Sequence, residues 1–288
     1  MIIDCHVHVL QRWAGACGHE SREIHWKYIQ KNVTRPSAKV RRASDGAPAD
    51  PKALFRTGDN SWAGLRDDVH FRVGPYGRLE YTLSGEDYYI QYMPVGMAEI
   101  EAPPQLHLAQ MSYVGVDHCV LQAGMTYGLM NDYNSFCQHQ YPDKFTGLFH
   151  VDEPAADAPR WMKEMDRARH QLGLRGIYYQ LDGFSRYGFQ WSFDEPRFDA
   201  FWEGVAALRI PIFFEAQSIP DYDEKSYIAN MRRLDGLLAR FTSMRWLLVM
   251  GPPVQFFAKH GKWQFPDEVA RTYGRENLQI EIMFPITW

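Results

Sequence analysis

The chain has 288 residues, of which 45% are apolar, 15% aromatic and 23% charged, so it can bury a large core and is not a disordered chain. A formal net charge of −4 leaves no basic excess to neutralise phosphates, which argues against nucleic acid and anionic membrane as partners. Cysteines stand at 5, 17, 119 and 137 without a Cys-x-x-Cys pair, which excludes a zinc ribbon or disulfide scaffold and points to a reducing, cytoplasmic setting.

In chain order, the opening Ile2 to Val9 lacks a basic leader and reads as a first strand, not a signal peptide. Gln11 to Ala102 shows no sustained helical period and is punctuated by Gly, Pro, Asp and Asn, so it reads as a long insertion after strand one. Within it, Gly74-Pro75-Tyr76-Gly77 separates two alternating runs and predicts a hairpin near Phe71 to Leu83. Its Trp62, Tyr88, Tyr89 and Tyr92 suit either a lid over a ligand or a subunit interface.

Short apolar runs then recur at Val116 to Gln122, Phe145 to Val151, Leu174 to Gln180, Ile210 to Gln217, Met244 to Met250 and Leu278 to Phe284. Their starts lie 29, 29, 36, 34 and 34 residues apart, the length of a strand, a helix and two loops. None approaches the roughly 20 apolar residues of a membrane helix. Helical patterns at Ala158 to Leu172, Phe198 to Leu208 and Tyr227 to Phe241 fill the gaps, so parallel strands with crossover helices follow. No Gly-rich phosphate loop follows strand one, which disfavours an open doubly wound sheet. The expectation is an α/β fold, one (β/α)₈ TIM-type barrel domain over 1–288, with 11–102 as a lid or interface insertion on the active-site side. Only seven strands are legible, and the eighth is expected beyond Trp288, about 40 residues further on at this repeat length.

His6 and His8, two apart in strand one, project from one face and can chelate a divalent metal. With Asp4-Cys5-His6-Val7-His8 at the start, the sequence resembles the amidohydrolase superfamily, in its amidohydrolase-related branch that includes aminocarboxymuconate semialdehyde decarboxylase. Further elements of the resemblance are Val114 to Gln122, Tyr141-Pro142-Asp143-Lys144-Phe145, Gly173-Leu174-Arg175-Gly176-Ile177 and Ile210-Pro211-Ile212. The resemblance implies a metal-dependent barrel enzyme that decarboxylates or hydrolyses small organic carboxylates, often aromatic.

The chain departs from the family at three site positions, two of them metal ligands and the strand-six His-Gly one that positions catalytic groups. Where the fifth strand usually ends in a metal-binding His, it has Phe213-Phe214-Glu215-Ala216, and where the sixth ends in His-Gly it has Met250-Gly251-Pro252-Pro253. The usual last Asp ligand falls beyond Trp288. Glu215 can replace the missing imidazole on Zn²⁺ or Mn²⁺, or pair with a nearby cation.

His150, at the end of strand three, is a candidate ligand, acid or base, with a plain hydrogen-bonded histidine as the alternative. Gln122 and Gln180, polar groups closing apolar strands, can orient a substrate oxygen or be structural amides. Arg186 and Tyr187, in the aromatic segment Phe184 to Trp191, suit a planar anionic substrate, or belong to a packed loop. No Gly-x-Ser-x-Gly elbow or P-loop is present. The sequence thus reads as a metal-dependent hydrolase or decarboxylase of a small carboxylate, cytoplasmic, with a homodimer or higher homo-oligomer as its candidate assembly. The competing reading is a non-catalytic binding protein on a degenerate barrel that has lost its metal.

Overall fold

Strands that pair in parallel need a crossover between them, and the chain alternates buried strands with amphipathic helices. The structure, a computed structural model, describes residues 1–34, 38–56, 58–216, 223–259 and 262–281. Contacts divide the chain into two compact units, residues 1–145 with 186–188 and residues 146–185 with 189–288.

The first unit begins with β1 (Ile3–Val7), passes through α1 (Arg22–Asn32) and an antiparallel sheet, and continues through α2 (Pro104–Val114), β2 (His118–Leu121) and α3 (Asn131–Gln140) to the start of β3 (Phe145–Gly147). Strands β1, β2 and β3 bond in that order, and β1 runs parallel to β2 with Val7 beside Leu121. Val7, Val9, Cys119 and Leu121 form one core with Met111 of α2 and Cys137 of α3. Because side chains alternate along a strand, His6 and His8 occupy the opposite face.

Residues 11–102 carry a core of their own, including Trp13, Ile29, Leu54, Leu79, Tyr81 and Ile90. Its antiparallel sheet runs Pro48–Ala49, Val40–Arg42, Glu86–Gln91, Arg78–Leu83, Arg72–Val73, and the last two are the hairpin around Gly74 to Gly77. Leu10 and Ala102 close its base by exchanging two backbone hydrogen bonds, 2.8 and 3.0 Å.

Helix α1 corrects the reading of this stretch as lacking helical period. Ser21 caps it by accepting from Ile24 N, and its buried residues are His25, Ile29 and Gln30. Two of these three are polar, so no apolar stripe marks the helix. They are buried at low cost because they are hydrogen-bonded: His25 faces the carbonyls of Gly15 and Thr126, and Gln30 Nε2 donates to Arg66 O at 2.8 Å.

The second unit takes up β3 and continues through α4 (Pro159–His170), β4 (Ile177–Gln180), α5 (Asp199–Leu208), β5 (Ile212–Glu215), α6 (Glu224–Arg240), β6 (Trp246–Leu248), α7 (Val254–Phe257), α8 (Asp267–Tyr273) and β7 (Leu278–Ile280). Strands β4, β5, β6 and β7 are parallel neighbours in that order, and Phe149 bridges to Ile177. Each of the seven apolar runs thus contains a strand; Gln217 and residues 282–284, read as strand ends, lie outside the described residues.

Alternation sorts the faces here too. Tyr179 stacks on Phe214 at 5.8 Å and lies tilted against Trp202 of α5 at 4.9 Å, while Trp202 meets Trp246 at 5.4 Å. That aromatic layer is the helix-facing side of the sheet. Tyr178, Gln180, Phe213 and Glu215 therefore occupy the other face.

Candidate functional site

In the first unit the two histidines of β1 converge, with Nε2 of His6 3.0 Å from Nε2 of His8. Two nitrogens on one tetrahedral zinc lie about 3.3 Å apart, so this spacing suits chelation by a single ion. Nδ1 of His8 is 2.9 Å from the carbonyl of Gln122. A carbonyl only accepts, so Nδ1 carries the proton and Nε2 carries the lone pair, the arrangement in which an outer hydrogen bond orients a metal-binding imidazole. The Tyr127 ring lies 4.5 Å from His8, and half-buried His107 donates from Nε2 to His8 O at 3.0 Å.

Gln122 follows β2 on the histidine face and is fully buried. Its backbone N donates to Val7 O at 2.8 Å, and its side-chain Nε2 donates to Cys5 O at 2.6 Å. Its Oε1 has no hydrogen-bond partner among the described residues. An acceptor buried in that state costs about 1–3 kcal/mol.

Arg186 belongs to the same unit. Its buried guanidinium lies over the Tyr28 ring at 4.9 Å, and its carbonyl accepts from Trp62 N at 2.9 Å. Trp62 meets Tyr28 edge-on at 4.7 Å, and His19 stacks on Tyr28, also at 4.7 Å. Burial pulls the His19 pKa down to about 4, with the neighbouring His25 adding to the effect. Burial likewise lowers Arg186. Tyr187 is partly exposed at 39%.

In the second unit Glu215 is buried at the end of β5, beside Gln180 in register. Its Oε2 accepts from Tyr178 OH at 2.5 Å and from Gln180 Nε2 at 2.7 Å. Sequence reading missed Glu153, whose Oε1 accepts from Gln180 N at 3.3 Å. Burial, with Asp182 and Glu215 nearby, raises Glu153 to about 8. The only sequence signal was a Glu just past a strand end, in Asp152-Glu153-Pro154. Glu281, also missed, is buried one residue past β7 and accepts from Met250 N through Oε2 at 3.2 Å. His150 is fully buried, one residue beyond the bridge at Phe149.

The structure therefore brings His6, His8 and Gln122 together in one unit and Gln180 with Glu215 in the other. Among the described residues no group of three or more His, Cys, Asp or Glu side chains is placed to hold an ion; His6 and His8 belong to the first unit and Glu215 to the second. No helix among the described residues is long and apolar enough to cross a membrane.

A family model described as amidohydrolase matches residues 3–287. Among solved structures, an uncharacterised TIM-barrel protein from Bordetella bronchiseptica is 16% identical with a TM-score of 0.55, over 98% of this chain and 74% of that one. A probable 2-pyrone-4,6-dicarboxylic acid hydrolase from Acinetobacter baumannii is 15% identical with a TM-score of 0.43, over 63% of this chain and 60% of that one. The 5-carboxyvanillate decarboxylase from Sphingomonas paucimobilis is 19% identical with a TM-score of 0.43, over 61% of this chain and 63% of that one. The first likeness shows a TIM-type α/β fold. Among curated proteins none matches the chain.

Proposed function

Because the chain belongs to the amidohydrolase family, we propose that it is a metal-dependent hydrolase or decarboxylase of a small organic carboxylate, aromatic or unsaturated. Membership makes it an enzyme, and the family is divalent-metal dependent. The observation that carries the proposal is the convergence of the His6 and His8 Nε2 atoms at 3.0 Å, with His8 clamped through Nδ1 on Gln122 O.

These two histidines would hold the ion, zinc or manganese, both of which take imidazole nitrogen. When bound, the ion supplies Lewis acidity for a substrate oxygen or for water. The remaining work falls to side chains of this chain. Arg186, held rigid over Tyr28, is assigned to a substrate carboxylate, which a guanidinium meets with two parallel hydrogen bonds. Tyr187 is assigned to the substrate ring beside it. In the second unit, Gln180 and Tyr178 fix the orientation of Glu215. His150 and Glu153 are the proton-carrying groups we assign there, Glu153 because its raised pKa keeps a proton on it at neutral pH.

We place the protein in the cytoplasm on its four cysteines, none of which forms a disulfide. We also infer self-association through exposed Tyr113 and Val114 of α2 and Phe136 of α3, to be checked by light scattering.

The deciding test is the metal content, by mass spectrometry, of protein purified without chelator. About one divalent ion per chain is expected, with loss of ion and activity in the His6→Ala, His8→Ala double variant. Equal metal in the double variant would remove the central claim.

A further inference from the structure

Two imidazole nitrogens are too few to hold a divalent ion in a closed site, since structural and catalytic zinc centres take at least three protein donors. The missing donor is not another His, Cys, Asp or Glu among the described residues. Among the described residues, the side-chain carbonyl of Gln122 is a buried oxygen on the histidine face with an unfilled acceptor.

Its position follows from three hydrogen bonds. Gln122 N binds Val7 O, and Gln122 O binds His8 Nδ1, which sets its backbone level with His8 on the neighbouring strand. The side-chain Nε2 binds Cys5 O. The side chain therefore runs back along β1 from the level of His8 to the peptide that joins Cys5 to His6. Its amide therefore lies along the stretch of β1 that carries His6 and His8. The bond to Cys5 O also fixes which amide atom is the oxygen: the flipped amide would set two acceptors 2.6 Å apart.

We propose that Gln122 Oε1 is the third protein donor of the His6/His8 centre, making it a two-nitrogen, one-oxygen site. This rests on the reading of His6 and His8 as metal ligands. An amide oxygen is neutral, so the centre keeps the full charge of its ion, and an oxygen donor shifts preference from zinc toward manganese relative to a third imidazole.

The test measures metal affinity, not turnover. Apo protein is titrated with zinc against a chromophoric chelator for wild type, Gln122→Leu and the double histidine variant. Leucine keeps the bulk and removes the oxygen. Gln122→Leu is expected to weaken zinc binding at least tenfold, while the double histidine variant loses it. Because leucine also removes the bond to Cys5 O, a second readout follows the side-chain carbonyl directly: the ¹³Cδ resonance of Gln122 in wild type, assigned by its absence from the variant, is expected to shift on zinc addition. Wild-type affinity in Gln122→Leu, or an unmoved Cδ resonance in zinc-loaded wild type, would overturn the role of Gln122 and leave the two-histidine reading standing. Zinc binding that survives in the double histidine variant would overturn both.

Discussion

Replacing Glu153 by Gln removes a buried ionisable group and keeps its size and its acceptor for Gln180 N. Burial raises the carboxyl from the ordinary 4.5 to about 8 in the folded chain. Between those values the folded state holds the proton and the unfolded state has lost it, so the folded state binds more protons and stability falls as pH rises. At about 1.4 kcal/mol per pH unit over that interval, the wild type loses on the order of 4–5 kcal/mol by pH 8 and above, and nothing below about pH 4. Glu153→Gln escapes this loss, while Asp182 and Glu215, the acidic groups acting on Glu153, stay in place. The variant should match wild type in stability near pH 5 and exceed it by about 3 kcal/mol or more at pH 9. Urea unfolding across that range measures the difference directly. A stability difference that does not change with pH would refute the buried, protonated carboxyl, and with it the assignment of Glu153 as a proton carrier.

Further outcomes follow from other sites. Trp202→Ala opens the aromatic layer beneath Tyr179 and Trp246 and should cost about 3–5 kcal/mol, read as a lowered urea midpoint with an unchanged slope. Gly128 has φ 123°, and a Cβ there would come within 2.3 Å of Cys17 O, so Gly128→Ala should destabilise by at least about 2 kcal/mol in thermal unfolding. His6→Ala alone should abolish tight zinc binding while leaving the melting temperature of the apo protein within about 2 °C of wild type, because His6 is only partly buried. Arg186→Lys keeps the charge and loses the planar stack on Tyr28, and should weaken binding of aromatic carboxylates about tenfold or more in calorimetric titration.

The parts of the fold that could be read in the sequence are those with a single physical cause. Strands such as Ile212–Glu215 are buried throughout, so burial writes itself as an unbroken apolar run. The His6–His8 pair was legible because a spacing of two sets both on one face whatever the surroundings. Helix α1 was not legible, because His25 and Gln30 are buried by hydrogen bonds to carbonyls that lie up to about a hundred residues away in the chain. Glu153 was hidden for a related reason. Its environment comes from Gln180, Asp182 and Glu215, which local sequence around Asp152 does not contain. Gln122 could be picked out as a polar residue closing an apolar strand, but only the bond from its Nε2 to Cys5 O reveals which way its oxygen faces.

The two hydrogen bonds between Leu10 and Ala102 make the start and finish of the intervening stretch neighbours on adjacent backbones. Residues 11–101 thus leave and rejoin the first unit at one point of backbone pairing, and they are tied to it again where His25 faces Thr126 O and Leu129 N donates to Cys17 O. Melting or cutting this cassette would cost those ties as well as its apolar cluster, while the backbone bonds that pair β1 with β2 are made outside it. A descendant chain could lengthen, shorten or replace the cassette in one genetic event, and the histidines of β1 would keep their register throughout.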